Sequence, residues 1–123
     1  MKNLFKTSLL ATVLLAAPVT AHHSFADYYD KRGITLAGTL KEIRFTNPHI
    51  HLVIDVPAKN GAVESWEFSG PSPADWRSAG WVRSDFVLGS PITITGFPKR
   101  DGSNHLSIAI LKTKDKSWGR GYK

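Results

Sequence analysis

The sequence predicts a single all-β domain with one short helix, and three observations support that fold class. First, several stretches after residue 33 alternate apolar and polar side chains with a period of two, which is typical of half-buried strands. Second, these stretches are separated by turn signals such as Asn60-Gly61. Third, the segment from Ser72 to Gly80 alone has clear helix start and stop signals.

The first two strands flank an Asn47-Pro48 turn. Residues 34–45 form the first, and its apolar parity changes after Leu40, which predicts a β-bulge between Gly38 and Glu42. The second strand runs over residues 49–56. Successive side chains of a strand point to opposite faces, so two faces are predicted. The inward face comprises Ile50, Leu52, Ile54 and Val56, and the outward face comprises His49, His51, Val53 and Asp55.

The Asn60-Gly61 turn leads into a third strand over residues 63–69. Hairpin pairing centred near Lys59 places Glu67 opposite His51 on the outward face. Because a slip of one residue would turn the apolar set outwards, the face of each residue is better determined than its partner.

The helix signals after the third strand are complete. Ser72 is the expected N-cap, Pro73 takes the first helical position, Asp75 lies three residues after the cap, and Gly80 ends the helix. Residues 92–97 and 105–111 then form the fourth and fifth strands, on either side of a turn.

The resulting order is three strands, a short helix and two strands, which is the order of a small five-stranded OB-like barrel. A half-open β-sandwich built from the same strands is the alternative. The expected organisation is a leader over residues 1–21, an N-terminal arm over 22–33, the barrel over 34–111 and a basic, loosely ordered tail over 112–123.

The first 21 residues have the layout of a secretory signal peptide. Lys2 and Lys6 precede an apolar run that is too short to span a bilayer, and small residues occupy the positions before a cleavage point after Ala21. We therefore expect a periplasmic or secreted protein whose mature chain begins with His22-His23.

Composition limits the classes of partner. Without the leader, 14 basic and 10 acidic residues remain, a net charge of +4, which is too small to indicate nucleic acid, and no nucleic-acid partner is expected. The sequence has no cysteine, so disulfides and thiolate metal sites are excluded. The basic tail leaves open a weak contact with an anionic membrane surface.

Histidines are the residues best placed for chemistry. His49 and His51 are two apart on a strand, so their side chains are expected on one face, about 6–7 Å apart at the backbone, where both could bind one metal ion. OB barrels bind ligands on the face of strands 2 and 3 and on the adjoining loops. That topology also brings Glu67 and His105 to the same region, as ligands or as hydrogen-bond acceptors for an imidazole.

The expected N-terminus extends this site. The α-amine and imidazole of His22, with His23 beside it, could complete a copper site together with a third imidazole. Nitrogen donors without sulfur favour Cu²⁺, with Zn²⁺ or Ni²⁺ behind. The candidate metal ligands are His22, His23, His49, His51, Glu67 and His105.

Other functions stay open. The same face could bind a non-metal small ligand, or the protein could serve a structural or interaction role. A histidine-brace redox enzyme would need a vacant copper position, and no other residue pattern argues for turnover. In the plainest interpretation, His22-His23 is a remnant beside the cleavage point, His49 caps a turn, and His51 pairs with Glu67 across the strands.

Five motifs together resemble one known family. They are Ala21-His22-His23-Ser24-Phe25, Phe45-Thr46-Asn47-Pro48-His49, Trp66-Glu67-Phe68, Gly80-Trp81 and Lys99-Arg100-Asp101-Gly102-Ser103-Asn104. In this combination the chain resembles the small exported bacterial proteins of the domain of unknown function 6152 family, from the cleavage point to about Leu111. The resemblance implies export and a compact β-rich domain, and it implies no activity.

Overall fold

The computed structural model describes residues 25–119. Six strands, two short helices and a 3₁₀ turn over Arg83–Asp85 make up this region. The elements are α1 (Phe25–Tyr28), β1 (Ile34–Phe45), β2 (Ile50–Pro57), β3 (Val63–Ser69), α2 (Pro73–Ser78), β4 (Pro91–Pro98), β5 (His105–Lys112) and β6 (Ser117–Gly119).

The sheet closes on itself. Its order is β3-β2-β1-β4-β5-β6, and every one of these neighbouring pairs is antiparallel. A further parallel pairing between β3 and β5 joins the two ends of the five-stranded part into a barrel. The all-β prediction and the OB-like order of strands are confirmed, and the closure excludes the half-open sandwich.

Strand β1 is long and pairs with two neighbouring strands because it bends. Its first half pairs with β4 and its second half with β2, and the register shifts between Leu40 and Glu42, where the sequence predicts a bulge. At Gly38 a Cβ atom would lie 2.3 Å from the Asp55 carbonyl oxygen, so the bend requires glycine.

The β2–β3 hairpin differs from the expected register by two residues. His51 lies opposite Ser69, and Val53 lies opposite Glu67, so the hairpin is centred at Asn60 rather than near Lys59. The predicted pairing of His51 with Glu67 is therefore wrong. A shift of two residues preserves the parity of a strand, which is why the predicted faces still hold.

Helix α2 closes one side of the core. As predicted, Ser72 is its N-cap, with its hydroxyl accepting from the Asp75 N–H at 3.1 Å, and Gly80 follows the helix with a positive φ of 82°. The helix buries Trp76 completely, and this ring stacks on Phe86 with centroids 5.0 Å apart.

The segment after β5 forms a further short strand, β6, which lies within the stretch that the sequence predicts to be a tail. Strand β6 pairs with the end of β5, and Trp118 packs against the core. Lys116 Nζ lies 2.7 Å from Asp85 Oδ2 and donates to the Gly80 carbonyl at 3.0 Å. The sequence pattern missed this strand because it is only three residues long.

The segment before β1 is also attached to the barrel. Tyr29 forms an isolated β-bridge with Lys99, the Asp30 N–H donates to the Pro98 carbonyl at 2.8 Å, and the Arg100 N–H donates to the Tyr28 carbonyl at 2.9 Å. The predicted leader and the histidines that follow it, residues 1–24, lie outside the described residues. Within residues 25–119, no helix is both long enough and apolar enough to cross a bilayer.

Candidate functional site

Three of the predicted site residues meet on the outer face of β2, β3 and β5. Leu52, Phe68 and Leu106 point into the barrel and are fully buried, so the alternate positions point outwards. His51, Glu67 and His105 occupy such positions. In the parallel pairing of β3 with β5, Glu67 is directly beside His105.

His105 is held between two side chains of β3. Its Nδ1 lies 3.7 Å from Glu67 Oε2, and its Nε2 lies 2.9 Å from Ser69 Oγ. The His105 side chain is only 12% exposed, whereas that of Glu67 is 61% exposed. A carboxylate only accepts, so the tautomer that suits Glu67 has its proton on Nδ1, and in that tautomer Nε2 accepts from the Ser69 hydroxyl.

The surroundings keep His105 neutral at pH 7. Burial is the main cause that lowers the pKa of His105 below its ordinary value of 6.5, and the positive charge of Lys99 adds to it. Glu67 acts in the opposite direction, and His51 is near enough to lower the pKa slightly further.

His49 lies beside this face, in a cleft of about 230 Å³. The cleft is bounded by Pro48 and His49 before β2, by the connection from Ser69 to Ser72 after β3, and by Phe25 of α1. His49 Nδ1 is 3.1 Å from the Gly70 carbonyl oxygen. A carbonyl accepts and never donates, so Nδ1 is the donor in this hydrogen bond and Nε2 is not used by it.

Phe25 brings the start of the described chain to the same cleft. Its ring stacks on Tyr29 with centroids 4.6 Å apart and meets Phe97 edge-on at 5.8 Å, and it lines the cleft together with His49. Phe25 follows the expected N-terminal residue, His22, by three positions. His22 and His23 themselves lie outside the described residues.

The histidines of the described chain fall into two neighbouring groups. His49 is in the cleft, whereas His51 and His105 are on the strand face with Glu67. Across residues 25–119, no three His, Asp or Glu side chains are arranged to hold a metal ion. A site of three ligands therefore stays a prediction, and it needs a donor from outside the described part of the chain.

Ser69 links the two groups, and sequence reasoning missed it. It lines the cleft and also bonds His105 from the neighbouring strand. The sequence separation of 36 residues hides this contact, because only the parallel β3–β5 pairing brings the two together. The one available signal was parity, since Ser69 lies two positions after Glu67 on the same face.

Comparison with solved structures supports the fold. The chain is similar to the mitochondrial single-stranded DNA binding protein Rim1 from S. cerevisiae, with a TM-score of 0.53 and 8% identity. The match covers 76% of this chain and 99% of the Rim1 chain. At this identity the likeness concerns only the barrel.

Comparison of the sequence with curated proteins finds no match. The family model described as "Family of unknown function (DUF6152)" matches residues 10–107, which include β1 to β4, α2 and the start of β5. This match agrees with the resemblance that the motifs around His22, His49 and Trp66 indicate. The chain belongs to the DUF6152 family.

Proposed function

We propose that this protein is an exported binding module that holds a divalent transition metal ion, Cu²⁺ ahead of Zn²⁺ or Ni²⁺, between its N-terminal histidines and His49. The observation that carries the proposal is that Phe25 and His49 line one cleft. Three residues of extended chain span at most about 10 Å, and Phe25 lines the same cleft as His49, which supports His22 and His23 as its co-ligands.

The orientation of His49 suits a metal ligand. Imidazoles that bind metals through Nε2 usually donate their Nδ1 proton to a carbonyl or carboxylate, which sets the tautomer and holds the ring. The Gly70 carbonyl has that role here. Gly70 is itself held by β2, because its N–H donates to the Ile50 carbonyl at 2.7 Å.

The N-terminus supplies the remaining donors in this proposal. Cleavage after Ala21 leaves an α-amine and two consecutive imidazoles, and these groups lose their protons to a metal near neutral pH. Together with His49 this makes four nitrogen donors, and nitrogen donors without a thiolate favour Cu²⁺. His51, Glu67 and His105 are not among the proposed ligands, because His105 already bonds Ser69 and faces Glu67.

The test is a calorimetric titration with CuCl₂ and ZnCl₂ of protein whose N-terminus is verified as His22. The expected result is one Cu²⁺ site that weakens at least about tenfold in His49→Ala, because one of four nitrogen ligands is lost. His51→Ala is the matched control, since it removes an imidazole two residues away on the strand face, and its affinity should equal that of the wild type.

A variant with one extra residue before His22 separates the two halves of the site. It displaces the α-amine and should weaken Cu²⁺ binding as much as His49→Ala does. Binding that neither change alters would refute the proposed ligand set. Absence of any Cu²⁺ or Zn²⁺ site would instead leave the cleft to a small non-metal ligand.

A further inference from the structure

A second group of side chains has the arrangement of an activated nucleophile, and the proposed metal site does not use it. Ser69 Oγ lies 2.9 Å from His105 Nε2, and Glu67 lies 3.7 Å from Nδ1 on the other side of the ring. The order of the three groups is that of nucleophile, base and orienting carboxylate in acyl-transferring serine sites, although the Glu67 contact is longer than a hydrogen bond.

We propose that Ser69 is a nucleophile that His105 activates and Glu67 orients, and that this protein hydrolyses small activated carboxylic esters at Ser69.

The strand register holds the three groups in place. Ser69 and Glu67 are two apart on β3, so both side chains stand on its outer face, and His105 faces them from β5 across the parallel pairing. Because the three residues are on paired strands rather than on loops, their separations depend on backbone hydrogen bonds.

Ser69 is accessible to a substrate because it also lines the cleft. The cleft has about 230 Å³, below the 300–1,000 Å³ of pockets for drug-sized ligands, so a short acyl group fits it best. Apolar side chains of Phe25, Pro48 and Ile108 line the same space and would pack against an acetyl or propionyl chain.

The base has the form that the reaction needs. His105 is mostly buried and is neutral at pH 7, so Nε2 has a lone pair for the Ser69 proton. Lys99 and His51 oppose the second proton that the ring takes up during the reaction, and Glu67 favours it.

Stabilisation of the developing oxyanion is the weaker part of the site. The Gly70 N–H is occupied by the Ile50 carbonyl. Ser107 is a candidate donor, because it pairs with Ser69 across the strands and lines the cleft. Loss of one oxyanion donor costs roughly 100- to 1,000-fold in rate, so a single hydroxyl limits the site to esters with good leaving groups.

Ser69 Oγ attacks the ester carbonyl carbon while its proton passes to His105 Nε2. The C–O bond to the leaving alcohol then breaks, and the alcohol takes the proton from His105. Water, deprotonated by the same nitrogen, attacks the acyl carbonyl. The bond from the acyl carbon to Ser69 Oγ breaks, Oγ takes the proton back from His105, and the carboxylic acid leaves.

The test treats the full mature protein, in EDTA, with an alkyl fluorophosphonate and separately with p-nitrophenyl acetate. We expect one phosphonyl adduct, located on Ser69 by peptide mass spectrometry, and p-nitrophenol release that Ser69→Ala removes. His105→Gln keeps a hydrogen-bond partner for Ser69 but removes the base, and it should slow labelling at least about 100-fold.

Ser65→Ala is the matched control, because Ser65 is on the same face of β3 and lies outside the group. It should label at the wild-type rate. No adduct on Ser69, or equal labelling in wild type and His105→Gln, would overturn the proposal and leave a structural cross-strand contact. Because EDTA removes the metal, the result is independent of the copper titration.

Discussion

Two regions of this barrel differ in how their side chains interact. The aromatic cluster of Phe45, Trp76, Trp81, Phe86 and Trp118 fills the space beneath α2 with stacked and edge-on rings. The polar face of His51, Glu67, Ser69 and His105, with the adjoining cleft at His49, consists of titratable and hydroxyl side chains, most of them partly or largely exposed, that hydrogen-bond across the strands.

The difference indicates that the two regions have different roles. The aromatic cluster removes large apolar areas from water and supplies stability, whereas the polar face contributes little burial. The cluster contains one unpaired polar atom: the buried Trp76 Nε1 has no hydrogen-bond partner within residues 25–119. Substitutions in the two regions should therefore separate stability from chemistry.

The largest effect on the free energy of unfolding is expected from substitutions in the aromatic cluster. Trp76→Ala removes a fully buried indole and should lower the free energy of unfolding by about 3–5 kcal/mol, measured by urea denaturation. Trp76→Phe retains a ring and removes the unpaired donor, so it should cost clearly less. Equal losses in both variants would show that the cluster depends on the indole as a whole rather than on ring packing.

The close approach of β4 and β5 at Gly96 gives the next largest expected effect on stability. At Gly96 a Cβ atom would lie 2.4 Å from the Ser107 carbonyl oxygen, so Gly96→Ala must displace β5. We expect a loss of about 1–3 kcal/mol in thermal or urea unfolding. Gly33→Ala is the control, since its Cβ would lie at an ordinary 3.5 Å from the nearest atom, and it should be close to neutral.

Lys116 connects β6 to the aromatic cluster and should have a smaller effect. Its ammonium group bonds Asp85 and the Gly80 carbonyl and lies 5.5 Å from the centre of the Trp81 ring. Because the pair is partly exposed, Lys116→Ala should cost about 1 kcal/mol near pH 7. Lys114→Ala, an exposed lysine two residues away, is the control.

The same pair predicts a pH dependence. The hydrogen bond from Lys116 is the main cause that lowers the pKa of Asp85 below 3.8. The contribution to stability is therefore complete above pH 3.8 and is lost as the pH falls through the lowered value in the folded state. The stability difference between wild type and Lys116→Ala should narrow on acidification, and a constant difference would argue against the ion pair.

His49→Ala should have the smallest effect on stability. The residue is exposed and makes one hydrogen bond to Gly70, so unfolding should become easier by no more than about 1 kcal/mol. The same variant is expected to weaken Cu²⁺ binding strongly. A loss of several kcal/mol would identify His49 as a structural cap instead.

Periodicity and turn chemistry predicted most of the barrel. The five strands, the bulge after Leu40 and the Ser72 cap are all local patterns, since each depends on residues within a few positions of one another. Strand β6 was missed because three residues carry no measurable period. The β2–β3 partners were misplaced by two residues because the loop around Asn60 allows more than one centre.

What the sequence determined by itself is therefore the five strands of the barrel and the outward position of His51 and Glu67. Local alternation decides which face a side chain takes, and no tertiary information is needed for that. The tertiary structure alone decided that Ser69 bonds His105 and that His49 shares a cleft with Phe25. Both contacts join distant segments through barrel closure and the docking of α1, and their geometry depends on register rather than on local pattern.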